Sequence, residues 1–230
     1  MKSINYLIIN SLVVMLFIII ESCTKQKGNT IESTQTLFKL LDAEETGISF
    51  SNQLSPSYDN NIIEFNYFFN GGGVALGDVN NDGKTDVFLT GNMVSSALYL
   101  NQGDLKFEDV TTNVGLQTDR WATGATMVDI NEDGLLDIYV CFSGLGTDAS
   151  RKNSFYINQG ISEDGQPVFK DMATETGLAD IGYSTQAAFF DYDKDGDLDA
   201  YILTAYHDKS NPNFPKNKVN NGESPSTDRL

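Results

Sequence analysis

The stretch "DYDKDGDLD" crowds Asp191, Asp193, Asp195, Asp197 and Asp199 into one turn, where each carboxylate raises the cost of ionising the next. Either a cation neutralises them or the turn is a solvated acidic loop. The spacing favours the cation, because counting from the first aspartate gives D-x-[DN]-x-D-G-x-x-D, and the same pattern stands twice upstream. Positions 1, 3, 5 and 9 are Asp78, Asn80, Asp82 and Asp86 in the first loop, Asp129, Asn131, Asp133 and Asp137 in the second, and Asp191, Asp193, Asp195 and Asp199 in the third. Alternate residues of a tight loop can turn their oxygens to one centre. Glycine at position 6 (Gly83, Gly134, Gly196) lets the backbone bend so that the carbonyl of position 7 (Lys84, Leu135, Asp197) can join. An all-oxygen shell without histidine or cysteine suits a hard cation, calcium above magnesium. The expectation is about three calcium ions, with the Asp197 carboxylate itself facing solvent. An EF-hand is excluded, since its glutamate at position 12 is replaced by Leu89, Val140 and Ile202.

The elements that must position these loops form an internal repeat. "FEDVTTNVGL" from Phe107 matches "FKDMATETGL" from Phe169, and "LYLNQG" from Leu98 matches "FYINQG" from Phe155. Asp78 to Asp129 is 51 residues and Asp129 to Asp191 is 62, yet the step from the Phe motif to the next aspartate loop is 22 both times. The extra length therefore falls around "SGLGTDASRKN" and "ISEDGQPV", where loops absorb it. One repeat offers four short strands, "TGATMVDI", "LDIYVCF", "NSFYIN" and "PVFKDM". Four-strand units at this period predict an all-β fold, a β-propeller built of blades.

Composition sets the frame. The chain has 230 residues, 40% of them apolar, and a formal charge of -17, which disfavours nucleic acid and anionic bilayer surfaces as partners. Residues 1–22 read as an export signal: Lys2 precedes an apolar stretch from Tyr6 to Ile20. "IIIESC" resembles the bacterial lipobox, which implies a lipid on Cys23, with an uncleaved signal anchor as the alternative. Residues 23–36 read as a polar tether and residues 37–230 as the folded repeat region. Cys141, inside "DIYVCF", reads as a small buried hydrophobe.

With these motifs in hand, the chain resembles the FG-GAP or VCBS repeat family of integrin-α-like β-propellers. "YFFNGGGVALGDVNNDG", "LYLNQGDLKFEDVTTNVGL" and "STQAAFFDYDKDGDLDAYIL" are similar to the N-terminal region of bacterial lipoproteins related to cartilage acidic protein, of the ASPIC/UnbV type. The resemblance implies an extracytoplasmic interaction module without established catalytic chemistry. Leu230 falls where the third copy of the "LYLN" strand begins, so the expectation is an incomplete propeller of about three four-stranded partial blades.

The leading expectation is a calcium-binding, membrane-anchored module that contacts a protein or a glycan through the long loops at 143–153 and 205–229. It would sit on the cell envelope, at its periplasmic face or its surface, touching the membrane through the lipid anchor alone. A metal-dependent hydrolase is the alternative, and a purely structural role in a larger envelope assembly is the third. The sole histidine, His207, reads as a polar loop residue, and Trp121 reads as packing rather than as a ligand platform.

Overall fold

The computed structural model describes residues 37–205, 207 and 224–230. The export signal, Cys23 and the tether lie outside these residues. The chain divides into two units, residues 1–41 and 42–230. Of the first, residues 37–41 are described and contain no helix or strand. Everything below concerns the second.

Among the described residues ten strands follow in order: β1 (Val74–Gly77), β2 (Asp86–Leu89), β3 (Ala97–Gly103), β4 (Lys106–Asp109), β5 (Ala122–Val128), β6 (Asp137–Phe142), β7 (Ser154–Ile161), β8 (Pro167–Asp171), β9 (Ser184–Phe190) and β10 (Asp199–Thr204). They form two antiparallel four-stranded sheets, β1-β2-β3-β4 and β5-β6-β7-β8, and the pair β9-β10. The fold is all-β, with sheets arranged as partial propeller blades; no closed barrel forms among the described residues. Strands β1 and β5 pack together, as do β5 and β9, so the first strands of successive blades are neighbours.

The repeat read from sequence is a repeat in register. Gly77 pairs with Asp86, Val128 with Asp137 and Phe190 with Asp199, so the residue before each loop always faces position 9. At the far end, Leu89 pairs with Ala97 and Val140 with Ser154. Ile202 bridges to Arg229 at the equivalent place. The third blade thus begins its third strand where the sequence expects it. The Phe motifs also coincide: Gly115 and Gly177 are both left-handed, and the Leu116 and Leu178 N–H groups donate to the Thr111 and Ala173 carbonyls. Extra length in the second blade lies in the wider β7-β8 hairpin and in the segment after β6, which carries the helical turn Asp148–Arg151.

Strand β6 explains why its sequence is apolar without alternation. Ile138, Val140 and Phe142 face a core shared with Phe88, Leu98, Leu100 and Leu116. Tyr139 and Cys141 face the opposite way, into a core with Phe155, Ile157, Ala187 and Ile202. A strand between two blades buries both faces. Each fully buried Leu, Val or Phe contributes roughly 1.5–3 kcal/mol. Cys141 is fully buried, as expected, and burial pushes its thiol far up from the ordinary value.

A third cluster joins Phe65 and Phe68 to Trp121. The Trp121 ring meets Phe65 edge-on, with centroids 5.5 Å apart, and Phe68 at a tilt, 5.4 Å apart, so its packing role holds. His207 requires correction. It is 8% exposed, with its ring edge-on to Phe65 and Tyr183 at 5.5 and 4.9 Å. The chain beyond β10 turns the imidazole into this aromatic cluster, whose other members come from segments without strand pattern.

Candidate metal centres

Each aspartate loop hangs between two strands of one hairpin, and its first carboxylate organises it. Asp78 Oδ1 accepts the Asp82 N–H at 3.0 Å and Oδ2 accepts the Gly83 N–H at 2.7 Å. Asp129 accepts from Asp133 and Gly134 in the same way, at 3.1 and 2.9 Å. Position 4 is left-handed in all three loops, at Asn81, Glu132 and Lys194 (φ 55°, 57° and 66°), as is the glycine at position 6. Two left-handed residues two apart coil the loop tightly enough to bring positions 1, 3 and 5 together. Glutamate and lysine rarely adopt this conformation, so nothing in their identity pointed to it.

In the third loop one carboxylate oxygen from each of Asp191, Asp193 and Asp195 lies within 4.8 Å of the others. All three side chains are exposed. Asp195 and Asp197 share a hydrogen bond, which holds the Asp195 carboxyl below its ordinary value and pushes Asp197 up. The Asp197 side chain is solvent-exposed, as expected from its position. In the first loop the Lys84 ammonium sits 2.8 Å from Asp82 Oδ2 and holds the Asp82 carboxyl low. In the second, Asn131 Nδ2 donates to Asp133 Oδ2 at 2.9 Å.

Position 9 does more than the spacing suggested. Asp86 and Asp137 are fully buried. Asp86 Oδ2 accepts the Val79 N–H at 2.9 Å and Oδ1 accepts the Asn101 N–H at 2.8 Å. Asp137 Oδ2 accepts the Ile130 N–H at 3.1 Å and Oδ1 accepts the Asn158 N–H at 2.8 Å. Each therefore ties its loop to the third strand of its own blade. Burial pushes both carboxyls above the ordinary value, while the two backbone donors oppose that rise. Asp199 repeats half of the pattern by accepting from the Tyr192 N–H at 2.8 Å.

The donor set fits a hard cation. Positions 1, 3 and 5 offer carboxylate and amide oxygens, position 7 offers a backbone carbonyl, and sulfur and imidazole are absent from the three loops. The Lys84–Asp82 pair is exposed, and such pairs contribute little stability for an entering cation to overcome.

Twin four-stranded sheets, each opened by an aspartate-rich hairpin, define a protein of propeller-blade repeats. Residues 66–140 match the family model of the FG-GAP-like repeat, which takes in the first two aspartate loops. Over 142 residues the chain is 25% identical to Cartilage acidic protein 1 of Xenopus tropicalis, covering 61% of this chain and 20% of that relative. The chain thus spans about a fifth of the relative it matches. Both matches support the FG-GAP resemblance, and the chain carries FG-GAP-like repeat sequence.

Proposed function

We propose that this chain is a calcium-binding, extracytoplasmic repeat module that holds a protein or glycan partner and is anchored to the membrane through a lipid on Cys23. The observation that carries the calcium reading is the clustering of Asp191, Asp193 and Asp195 oxygens in a loop whose strand register recurs at Asp78–Asp86 and Asp129–Asp137. Positions 1, 3, 5 and 9 with the position 7 carbonyl hold the ion, and position 9 also fixes the loop beneath it. A bound calcium supplies charge neutralisation. The formal charge of -17 makes that contribution large for folding. No helix of the described residues is long and apolar enough to cross a membrane, so the anchor rests on the sequence around Cys23.

The reading assigns no catalytic residue. A hydrolase built on His207 loses support from the burial of that ring among Phe65 and Tyr183. The loop at 143–153 remains a contact surface.

Thermal unfolding of the full chain, in a detergent without a sugar headgroup, tests calcium binding in EDTA, across a calcium titration and with magnesium as control. At calcium a hundredfold above Kd, each independent site adds about 2.7 kcal/mol. A flat response in a folded chain overturns the metal reading. Incorporation of a labelled fatty acid, lost in Cys23→Ser, tests the anchor.

A further inference from the structure

A cleft of about 390 Å³ opens beside the aromatic cluster, within the range of small-ligand sites. Trp121, Met93 and Leu145 give it an apolar wall, and Asn60, Asp119 and Ser143 give it a polar one. Two polar atoms there are buried and lack a hydrogen-bond partner among the described residues: Asn60 Oδ1 and Ser143 Oγ. Ser143 itself is 3% exposed. An unmet buried hydroxyl costs on the order of 1–3 kcal/mol unless something supplies its partner. Ser143 lines the cleft rather than the sealed core.

The lining also selects the ligand's charge. Arg120 borders the cleft, but its guanidinium donates to the Lys152 carbonyl at 2.6 Å and to Ser154 Oγ at 2.7 Å, and it lies 3.7 Å from the Phe142 ring centroid. With that cation engaged and the Asp119 carboxylate exposed at the rim, an anion meets repulsion. The available groups are an amide acceptor at Asn60 and a hydroxyl at Ser143 that both accepts and donates, matched by sugar hydroxyls, beside an apolar wall matched by C–H faces.

We infer that this cleft binds a neutral saccharide ring, its hydroxyls donating to Asn60 Oδ1 and Ser143 Oγ while its apolar face lies against Met93 and Leu145. The inference rests on the reading of the chain as an interaction module and names the site and ligand class for it. A free sugar and the terminal residue of a polymer-borne glycan offer the same chemistry.

The test uses the full chain in saturating calcium and a detergent without a sugar headgroup. Free neutral monosaccharides are titrated by calorimetry, and immobilised neutral, sialylated and uronate-containing glycans are presented on an array. The expected result is binding to neutral rings alone, with free sugars bound if the ring suffices and immobilised glycans alone bound if the linkage is also read. Ser143→Ala should weaken binding at least fivefold with the melting temperature unchanged or raised, because the removed hydroxyl lacks an internal partner. Absence of neutral-ring binding, equal binding by Ser143→Ala, or binding confined to ammonium compounds and lost in Asp119→Asn each overturns the assignment. If such a result accompanies a normal calcium-induced rise in melting temperature, the cleft proposal fails while the calcium module stands; a flat calcium response removes the module reading itself.

Discussion

Asn158 Nδ2 donates to the Val79 carbonyl oxygen at 2.8 Å, joining the third strand of one blade to the aspartate loop of the blade before it. The Asn158 N–H meanwhile donates to Asp137 Oδ1, and the Val79 N–H donates to Asp86 Oδ2. One unbroken run of hydrogen bonds therefore links the position 9 aspartates of two loops. Asn81 Nδ2 adds a second tie, to the Gly134 carbonyl at 3.0 Å.

Replacing Asn158 by alanine should strand the buried Val79 carbonyl and lower stability by about 1–3 kcal/mol. Asn101 holds the same motif position in the first blade, but its Nδ2 meets the Thr85 carbonyl in an exposed setting, where water can take over. Asn101→Ala should cost less than about 1 kcal/mol. Urea denaturation of the two variants checks the difference, and equal losses would contradict the role given to Asn158.

Asp137→Asn replaces one acceptor oxygen with an amide that opposes a backbone N–H, so it should destabilise the chain by about 1–3 kcal/mol even in EDTA. Asp133→Asn acts at an exposed position and should leave stability in EDTA nearly unchanged while reducing the calcium-induced rise. Paired melting curves with and without calcium separate the two behaviours.

Alkaline pH should destabilise the fold through Tyr139 and Cys141. Burial raises both groups far above their ordinary values of 10.0 and 9.0. Above pH 9 to 10 the unfolded chain releases these protons while the folded chain keeps them, so each further unit favours unfolding. The stabilisation is complete below that range and is lost progressively as pH climbs through it. In Tyr139→Phe the decline of melting temperature between pH 9 and 11 should be shallower than in the parent, measured relative to each protein's value at pH 8.

Gly124→Ala should be more damaging than Gly134→Ala in the absence of calcium. A Cβ at Gly124 would lie 2.3 Å from the Thr185 carbonyl oxygen, forcing β5 away from β9, with a cost of about 1–3 kcal/mol. Gly134 is left-handed but faces open space, so alanine there costs about 1–2 kcal/mol of backbone strain without disturbing a neighbouring strand. A shift in melting temperature for Gly134→Ala equal to or larger than that for Gly124→Ala would contradict the close-packing account.

The spacing of repeated motifs carried most of the architecture, because strand register follows from it: Gly77, Val128 and Phe190 each face a position 9 aspartate as their alignment implies. Position 4 was opaque, since the left-handed backbone at Glu132 and Lys194 is imposed by the loop closing around them. The second duty of Asp86 and Asp137 was hidden for another reason. Their partners Asn101 and Asn158 stand on the third strand, and a ligand pattern read along one loop does not reveal a donor from another strand. The cluster of Phe65, Phe68, Trp121 and His207 was also illegible, as it gathers side chains from segments without period.

The bond from Asn158 back to Val79 spans 79 residues of chain. During synthesis, the first aspartate hairpin emerges long before the asparagine that finishes it. The nascent loop must wait, its carbonyl hydrated, until the following blade has been translated through its third strand. Such a wait makes assembly directional: each newly made blade locks its predecessor, and the most recent one is always the least secured.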